Sequence, residues 1–297
     1  MTTPSETTRM KKSKIAAIQL NGKATWAENQ PVIARLVSDA AEAGAEVIVL
    51  PENLYAMPAD PRELFALGLG AEGENAPLDW LRSLAHSKGV WLVAGTLPIR
   101  NDGSSTDEGE GKLWSRSYVI DSQGEIRAKY DKIHLFDVDV PSRRPSQSAA
   151  AESYRESDQF LRGTELGLVD TPAGRLGMAI CFDLRFPELF RRLTEQGAEW
   201  ICLPSAFTET TGRAHWEPLL RARAIENQVY MVAAAQVGVH ASGRKTFGHS
   251  MVVDPWGTVL ANAKTLADCF VMAEIDSEAQ AHIRQQFPVL DLRRLTS

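Results

Sequence analysis

The sequence is poor in the residues that would tie it to metals, disulfides or polyanions. Only three cysteines occur in 297 residues, Cys181, Cys202 and Cys269, odd in number and far apart. They lack the paired spacing of a disulfide framework or a zinc site, which fits a reducing cytoplasm. No apolar run approaches the ~20 residues that span a bilayer. Met1 to Lys12 is polar, without the apolar core of a signal peptide, and reads as a loose N-terminal tail (1–12) ahead of one domain covering 13–297. Acidic side chains outnumber basic ones, 38 to 32, for a net charge of −6. With no Lys/Arg stripe interleaved with aromatics, neither nucleic acid nor an anionic membrane is an expected partner. A glycine-rich phosphate loop and metal-ligand spacings of His and Cys are missing too, so no cofactor and no metal are expected.

What is present is a chain able to bury a large core, 44% hydrophobic and 24% charged. Lys14 to Leu20 is a buried-type strand, and Trp26 to Ala43 places Val32, Ile33, Leu36, Val37 and Ala40 at helical spacing before a Gly44 cap. Glu46 to Leu50 is the next strand and closes with Pro51 and Glu52. Pro77 to Lys88 is a second amphipathic helix, stopped by Gly89, and Val90 to Ala94 continues the sheet. Asn101 to Gly111 has the composition of a flexible turn, and Asp121-Ser-Gln-Gly124 joins the hairpin strands 114–120 and 125–130. Pro141 to Ser157 drops out of pattern and is expected to be a surface loop. Further strands are expected at 166–170, 176–180, 199–203 and 229–235, with helices at 187–196 and 213–227. A second hairpin turns at Asp254-Pro-Trp-Gly257, 268–275 is the last strand, and a short helix and arm follow from His282.

An internal echo organises these elements. Gly44-Ala-Glu-Val-Ile-Val-Leu-Pro51 and Gly197-Ala-Glu-Trp-Ile-Cys-Leu-Pro204 agree at most positions, each after a strand and a helix and each followed later by a hairpin. Two such α/β halves can bury their sheets face to face with helices outside, which predicts an α/β fold in four layers, an α-β-β-α sandwich.

Three reactive side chains occupy related positions. Cys181 ends the apolar run 176–180 at an elbow before Pro187, which suits a first helical turn; Glu52 closes a strand; Lys132 follows a hairpin strand. Taken singly they could be a core cysteine, a solvated carboxylate and a surface lysine. Amide hydrolysis near neutral pH, however, needs a nucleophile, a proton carrier and a fixed positive charge for the oxyanion, and these three supply them. Cys181 would attack as a thiolate aided by Lys132 or the elbow amides, and Glu52 would take the thiol proton, return it to departing ammonia and then activate water against the thioester. Lys132 and the Phe182 N–H would hold the oxyanion. A Cys–His hydrolase using His134, His215 or His249 is the rival, but none of these has an evident carboxylate orienter in the sequence. A non-catalytic interaction protein on the same scaffold is the other rival, and the three filled positions speak against it.

In order along the chain, Leu-Pro-Glu52, Tyr-Asp-Lys132-Ile-His-Leu-Phe and Cys181-Phe-Asp-Leu-Arg-Phe-Pro-Glu188 resemble the nitrilase superfamily of carbon–nitrogen hydrolases. That resemblance implies a nitrilase-type four-layer sandwich, a Glu52–Lys132–Cys181 triad acting on a small-molecule amide through a thioester, and a homodimer or higher homo-oligomer. Leu203-Pro-Ser-Ala-Phe207, Ala214-His-Trp-Glu217, Arg221-Ala-Arg-Ala-Ile-Glu226 and Gly248-His-Ser-Met-Val-Val-Asp-Pro-Trp-Gly257 are similar to the branch containing deaminated-glutathione amidase. The ω-amidase branch is the alternative, with nitrilase or N-carbamoyl amidohydrolase chemistry beyond it. By the same resemblance Glu156 matches a second pocket glutamate, and Phe182, Phe207 and Thr208 bind or support the substrate. Arg185, four residues past Cys181, either grips a substrate carboxylate or pairs with Asp183 or Glu188 to hold the elbow. The segment between Lys132 and Cys181 is longer than the family pattern.

Overall fold

Apolar residues alternate along the first strand, β1 (Lys12–Leu20), and the alternation sets the layering of the whole molecule. In the computed structural model, which describes residues 12–60, 62–66, 68–70, 73–101, 111–140 and 152–295, Ile15 and Ala17 enter a core shared with the second sheet. Ala16 and Ile18 point the other way, into a core under helices. Lys12, assigned to the tail from sequence, is the first residue of β1 and pairs with Asp276; the rest of the tail lies outside the described residues.

The first half continues with α1 (Trp26–Glu42), β2 (Val47–Val49), α2 (Glu63–Ala66), α3 (Ala76–Lys88), β3 (Trp91–Val93), β4 (Leu97–Arg100), β5 (Leu113–Ile120) and β6 (Ile126–Asp131). Thr25 and Glu28 form a capping box at the start of α1, and Gly89, left-handed at φ 64°, ends α3. Strands β1, β2 and β3 are parallel, and β5 and β6 add antiparallel. Ile33, Leu36, Val37 and Ala40 of α1 and Leu78, Leu81 and Ala85 of α3 cover the outer face, each large aliphatic contributing on the order of 2 kcal/mol of burial.

Next come β7 (Asp137–Val140), β8 (Glu152–Arg155) and β9 (Phe160–Leu161). The expected surface loop 141–157 is therefore wrong at its end: Glu152–Arg155 pairs antiparallel with β7, and Glu156–Asp158 is a 3-10 turn. The alternating Asp137-Val-Asp-Val140 was too short and too acidic to announce a strand. Residues 141–151, and 102–110 of the expected turn at 101–111, lie outside the described residues.

The second half repeats the first with β10 (Gly167–Thr171), β11 (Gly174–Met178), α4 (Pro187–Glu195), β12 (Trp200–Cys202), α5 (Glu209–Asn227), β13 (Tyr230–Ala233), β14 (Ala235–Val239), β15 (Lys245–Phe247), β16 (Met251–Val253), β17 (Val259–Asn262), β18 (Cys269–Asp276) and α6 (Ser277–Gln286). Its sheet runs β10-β11-β12-β13-β16-β17 with β11, β12 and β13 parallel, the same plan as β18-β1-β2-β3-β5-β6. The sequence echo has a backbone counterpart. Gly44 and Gly197 share φ 92°, Glu46 N donates to Lys14 O at 2.9 Å and Glu199 N to Arg175 O at 2.8 Å. At the hairpin tips, Asp121 Oδ1 accepts from Gln123 and Glu125, and Asp254 Oδ1 from Trp256 and Thr258.

The sheets face each other with α1 and α3 outside one and α4 and α5 outside the other, the α-β-β-α order expected from sequence. Among the described residues no helix is long and apolar enough to cross a membrane. One crossing escaped the sequence. The expected strand 229–235 is two strands, because the chain leaves the second sheet after Ala233 and at Ala235 joins β1 of the first. The apolar run is unbroken across that step, so periodicity gives no sign of it.

A buried carboxylate bolts the halves together at the strand ends. Asp183 is fully buried; its Oδ2 accepts from Tyr130 Oη at 2.7 Å and Ile180 N at 2.9 Å, and its Oδ1 from His134 N at 3.0 Å, with His134 Nδ1 2.6 Å away. Tyr130 lies near the end of β6 and His134 follows it, whereas Ile180 and Asp183 follow β11. Burial and the Asp183 charge push the Tyr130 phenol well above its ordinary range, so it stays a donor. Asp183→Asn keeps the shape but puts a donor where an N–H or O–H needs an acceptor. It is expected to cost about 2 kcal/mol and to lower the thermal midpoint by roughly 4–8 °C, read by calorimetry; an unchanged midpoint would remove Asp183 from this role.

Candidate active site

Each of the three reactive side chains is delivered by a strand end that the fold fixes independently. Glu52 follows β2 in a turn where Asn53 has φ 55° and its N–H donates to Thr96 Oγ1 at 2.8 Å. Gln236, brought in by the sheet crossing, donates to the Glu52 carbonyl at 2.8 Å. Gly95 makes room for this turn: a Cβ there would stand 1.9 Å from the Pro51 oxygen. Lys132 follows β6, with its N–H on Ser115 O at 3.1 Å and its carbonyl accepting from Gly163 at 2.9 Å. Cys181 sits on the expected elbow with φ 46°, left-handed backbone that a non-glycine residue adopts only at some cost, and its N–H is tied to Pro204 O at 2.9 Å.

These ends converge. Lys132 Nζ lies 2.8 Å from Glu52 Oε1 and 2.9 Å from both oxygens of Glu156, and Glu156 Oε2 also accepts from Phe136 N at 2.6 Å. Lys132, Glu52 and Cys181 are all buried. Burial alone would push the Lys132 ammonium down, but Glu156, Glu52 and Cys181 outweigh it and hold it above its ordinary value. Burial raises the Glu156 carboxyl, and Glu52 adds to that while Lys132 opposes it.

On the Cys181 thiol the net shift is upward, although Lys132 acts in the expected direction. Burial, then the Glu52 carboxylate, pushes the Cys181 thiol well above its ordinary value; Lys132 and an Ala206 N–H pull the other way and lose. One ammonium faces two carboxylates, so little positive field is left over for a thiolate. That direction favours the thiol over the thiolate, next to the Glu52 carboxylate expected from the sequence to take its proton.

All eight sequence-predicted residues, Glu52, Lys132, Glu156, Cys181, Phe182, Arg185, Phe207 and Thr208, line one cavity of about 820 Å³. Arg185 does not pair with Asp183, whose oxygens are already occupied, and among the described residues it forms no ion pair. Its guanidinium lies 5.7 Å from the Phe182 ring centre and 5.3 Å from that of Phe207, with Nη1 3.2 Å from His215 Nδ1. Thr208 caps α5, accepting from Thr211 N at 3.4 Å, so that helix starts one turn earlier than the expected 213. The Phe182 N–H, at the elbow, finds no acceptor among the described residues.

Sequence reasoning missed three supports. His134 does have a carboxylate orienter, Asp183, which is 49 residues away and invisible to local spacing; His134 stacks on Phe186 at 3.7 Å and does not line the cavity. Gln236 reaches Glu52 only through the crossing. Arg244, at the β14–β15 turn, enters the cavity wall from a segment with no motif. Of the other cysteines, Cys202 is buried and its thiol is pushed up to about 12, and Cys269 is half-buried at the first position of β18.

Comparison with known proteins agrees with this geometry. The pattern of the Carbon-nitrogen hydrolase family matches residues 14–285. Deaminated glutathione amidase of Yersinia enterocolitica is 40% identical over 292 residues, 97% of this chain and 95% of that protein. The protein of the same name from Mus musculus is 39% identical over 293 residues, 98% of this chain and 86% of its own. The crystal structure of C. elegans NitFhit has a TM-score of 0.84 at 38% identity, covering 95% of this chain and 65% of that longer one. Saccharomyces cerevisiae Nit3, a member of branch 10 of the nitrilase superfamily, has a TM-score of 0.82 at 29% identity over 96% of this chain and 97% of its own. With its fold, its strand-end triad and these relatives in agreement, the chain belongs to the carbon–nitrogen hydrolase family of the nitrilase superfamily.

Proposed function

We propose that this chain hydrolyses the amide of a small carboxylate-bearing substrate through a thioester on Cys181. The supporting observation is the convergence of Glu52, Lys132 and Cys181 in one cavity beside Arg185, a guanidinium without a carboxylate partner among the described residues. As Sγ bonds to the amide carbon, Glu52 takes the thiol proton, so the negative charge moves from carboxylate to oxyanion beside the same ammonium. Glu156 keeps Lys132 charged while Glu52 is protonated, and Lys132 with the Phe182 N–H stabilises the oxyanion. Glu52 returns the proton to nitrogen as the C–N bond breaks, then takes one from the water that cleaves the thioester, restoring the thiol. Phe207 and Thr208 complete the wall around the substrate.

Arg185 would grip the acyl-side carboxylate in a two-pronged bond. Relatives named deaminated glutathione amidase favour a substrate of that kind, and a simple ω-amide of the α-ketoglutaramate or succinamate type is the alternative. We place the chain in the reducing cytoplasm, consistent with its free cysteines, and as a homodimer or higher homo-oligomer. Exposed Ile225 beside the groove along α5 is consistent with that assembly, which light scattering reads directly.

Two outcomes are expected. For Arg185→Lys, the ratio of kcat/KM on a carboxylate-bearing ω-amide to that on a neutral amide of similar length should fall tenfold or more, about 1.4 kcal/mol. Cys181→Ala serves as the blank. An equal fall on both substrates with a lowered melting temperature would assign Arg185 to the scaffold. Second, a thiol held above its ordinary value does not ionise near pH ~8.5, so kcat/KM should show no rising limb centred there. A tenfold rise per pH unit levelling off at that pH would mean that a free thiolate attacks.

A further inference from the structure

Arginines on the cavity wall are held in different ways. Arg62 takes the Asp60 carboxylate at 2.7 Å and Arg155 takes that of Asp139 at 3.1 Å, so their charges are answered locally. Arg185 takes an imidazole: its Nη1 lies 3.2 Å from His215 Nδ1. A guanidinium has donors only, so Nδ1 is the acceptor in this contact and His215 is the neutral ring with its proton on Nε2. The bond fixes the direction of one N–H without cancelling the charge. The guanidinium also lies against the Phe182 and Phe207 rings, at 5.7 and 5.3 Å, and these are uncharged as well.

The backbone beneath His215 is firmly placed. Thr208 at the cap of α5, Thr211 and His215 follow one another at helical spacing on a single stripe, and the two threonines line the cavity. His215 continues the stripe just beyond the wall, where its side chain is exposed. Its neighbour Trp216 is fully buried, with Nε1 donating to the His249 carbonyl at 2.8 Å and its ring 4.8 Å from that of Phe207. Gly212 lets the helix lie close on β15, since a Cβ there would stand 2.3 Å from the Phe247 Cβ. The helix cannot roll without breaking these contacts, so the His215 acceptor stays where Arg185 meets it. An arginine held in this way has less side-chain freedom to lose when a ligand binds.

Resting on the function proposed above, in which Arg185 binds the acyl-side carboxylate, we infer that His215 is the positioning residue for that guanidinium. It holds Nη1 so that the charge and the remaining N–H groups are turned to the substrate. His215 touches no reacting atom, and its effect is on binding: without it the substrate itself must order the guanidinium, which raises KM for an acid. A neutral amide asks nothing of Arg185 and does not sense the difference. A carboxylate in place of the imidazole would hold the arginine too, but it would cancel the charge that an acidic substrate needs.

Succinamate and its neutral isostere succinamide test this, with kcat and KM measured separately. His215→Leu should cut the ratio of kcat/KM on the acid to that on the diamide by about fivefold or more, through KM for the acid. His215→Asn, whose amide oxygen can stand where Nδ1 does, should keep the ratio within about twofold of wild type. Arg185→Met should abolish the preference, and adding His215→Leu to it should remove nothing more, because the two side chains act as one unit. A preference lost in Arg185→Met but kept in His215→Leu would overturn the assignment and leave the Arg185 reading standing. So would an equal fall on both amides, or an Asn variant as poor as the Leu one. A preference that survives Arg185→Met would overturn the Arg185 reading and this assignment with it. Turnover of neither amide by the wild-type enzyme would remove the amidase function on such substrates and the role of His215 together.

Discussion

The structure depends on one buried ammonium. Lys132 is fully enclosed and held between Glu52 and Glu156, with Cys181 beside it. Removing the ammonium from such a cluster leaves buried carboxylates unanswered in low dielectric, a loss typically worth about 3–5 kcal/mol. The molecule must therefore bring three chain segments, after β2, β6 and β8, to within hydrogen-bond distance before the centre is tolerable at all. Cys181 gains its character from that balance. Burial and Glu52 push its thiol above the ordinary range, and in the proposed reaction its proton moves to Glu52 as substrate is attacked.

Face-to-face packing of two similar halves explains why the segments meet. Parallel strands β1–β3 and β11–β13 present their carboxyl ends to a common region, and ligands collect at such ends. Glu52 closes β2 of one sheet, and Cys181 lies just past β11 of the other. Asp183 ties the segment carrying Lys132 to the one carrying Cys181, and Gln236 ties the crossing strand to Glu52. The echo between Gly44–Pro51 and Gly197–Pro204 thus has a division of labour: the first copy is followed directly by Glu52, and the second ends in Pro204, whose carbonyl accepts from the Cys181 N–H.

Much of this was legible from residue order. Alternating and helical spacings placed the central strands and the main helices, because burial on one face or both leaves a local signature. Glu52, Lys132 and Cys181 stood out because each follows a strand and sits in a distinctive motif. What escaped depends on contacts between segments distant in sequence. The step from β13 to β14 hides in a continuous apolar run, and the carboxylate facing His134 lies 49 residues away. Arg244 has no local pattern, since its place on the cavity wall comes from where a turn lands. The protonation of Cys181 could not be judged until the charges around it were counted in space.

The most direct test is rapid-quench intact-mass spectrometry of the enzyme mixed with a carboxylate-bearing ω-amide, followed by peptide mapping. The account predicts a transient mass increase equal to the acyl group, located on the peptide containing Cys181 and absent from Cys181→Ala. Turnover that persists in Cys181→Ala, or an acyl group found on any other residue, would contradict it.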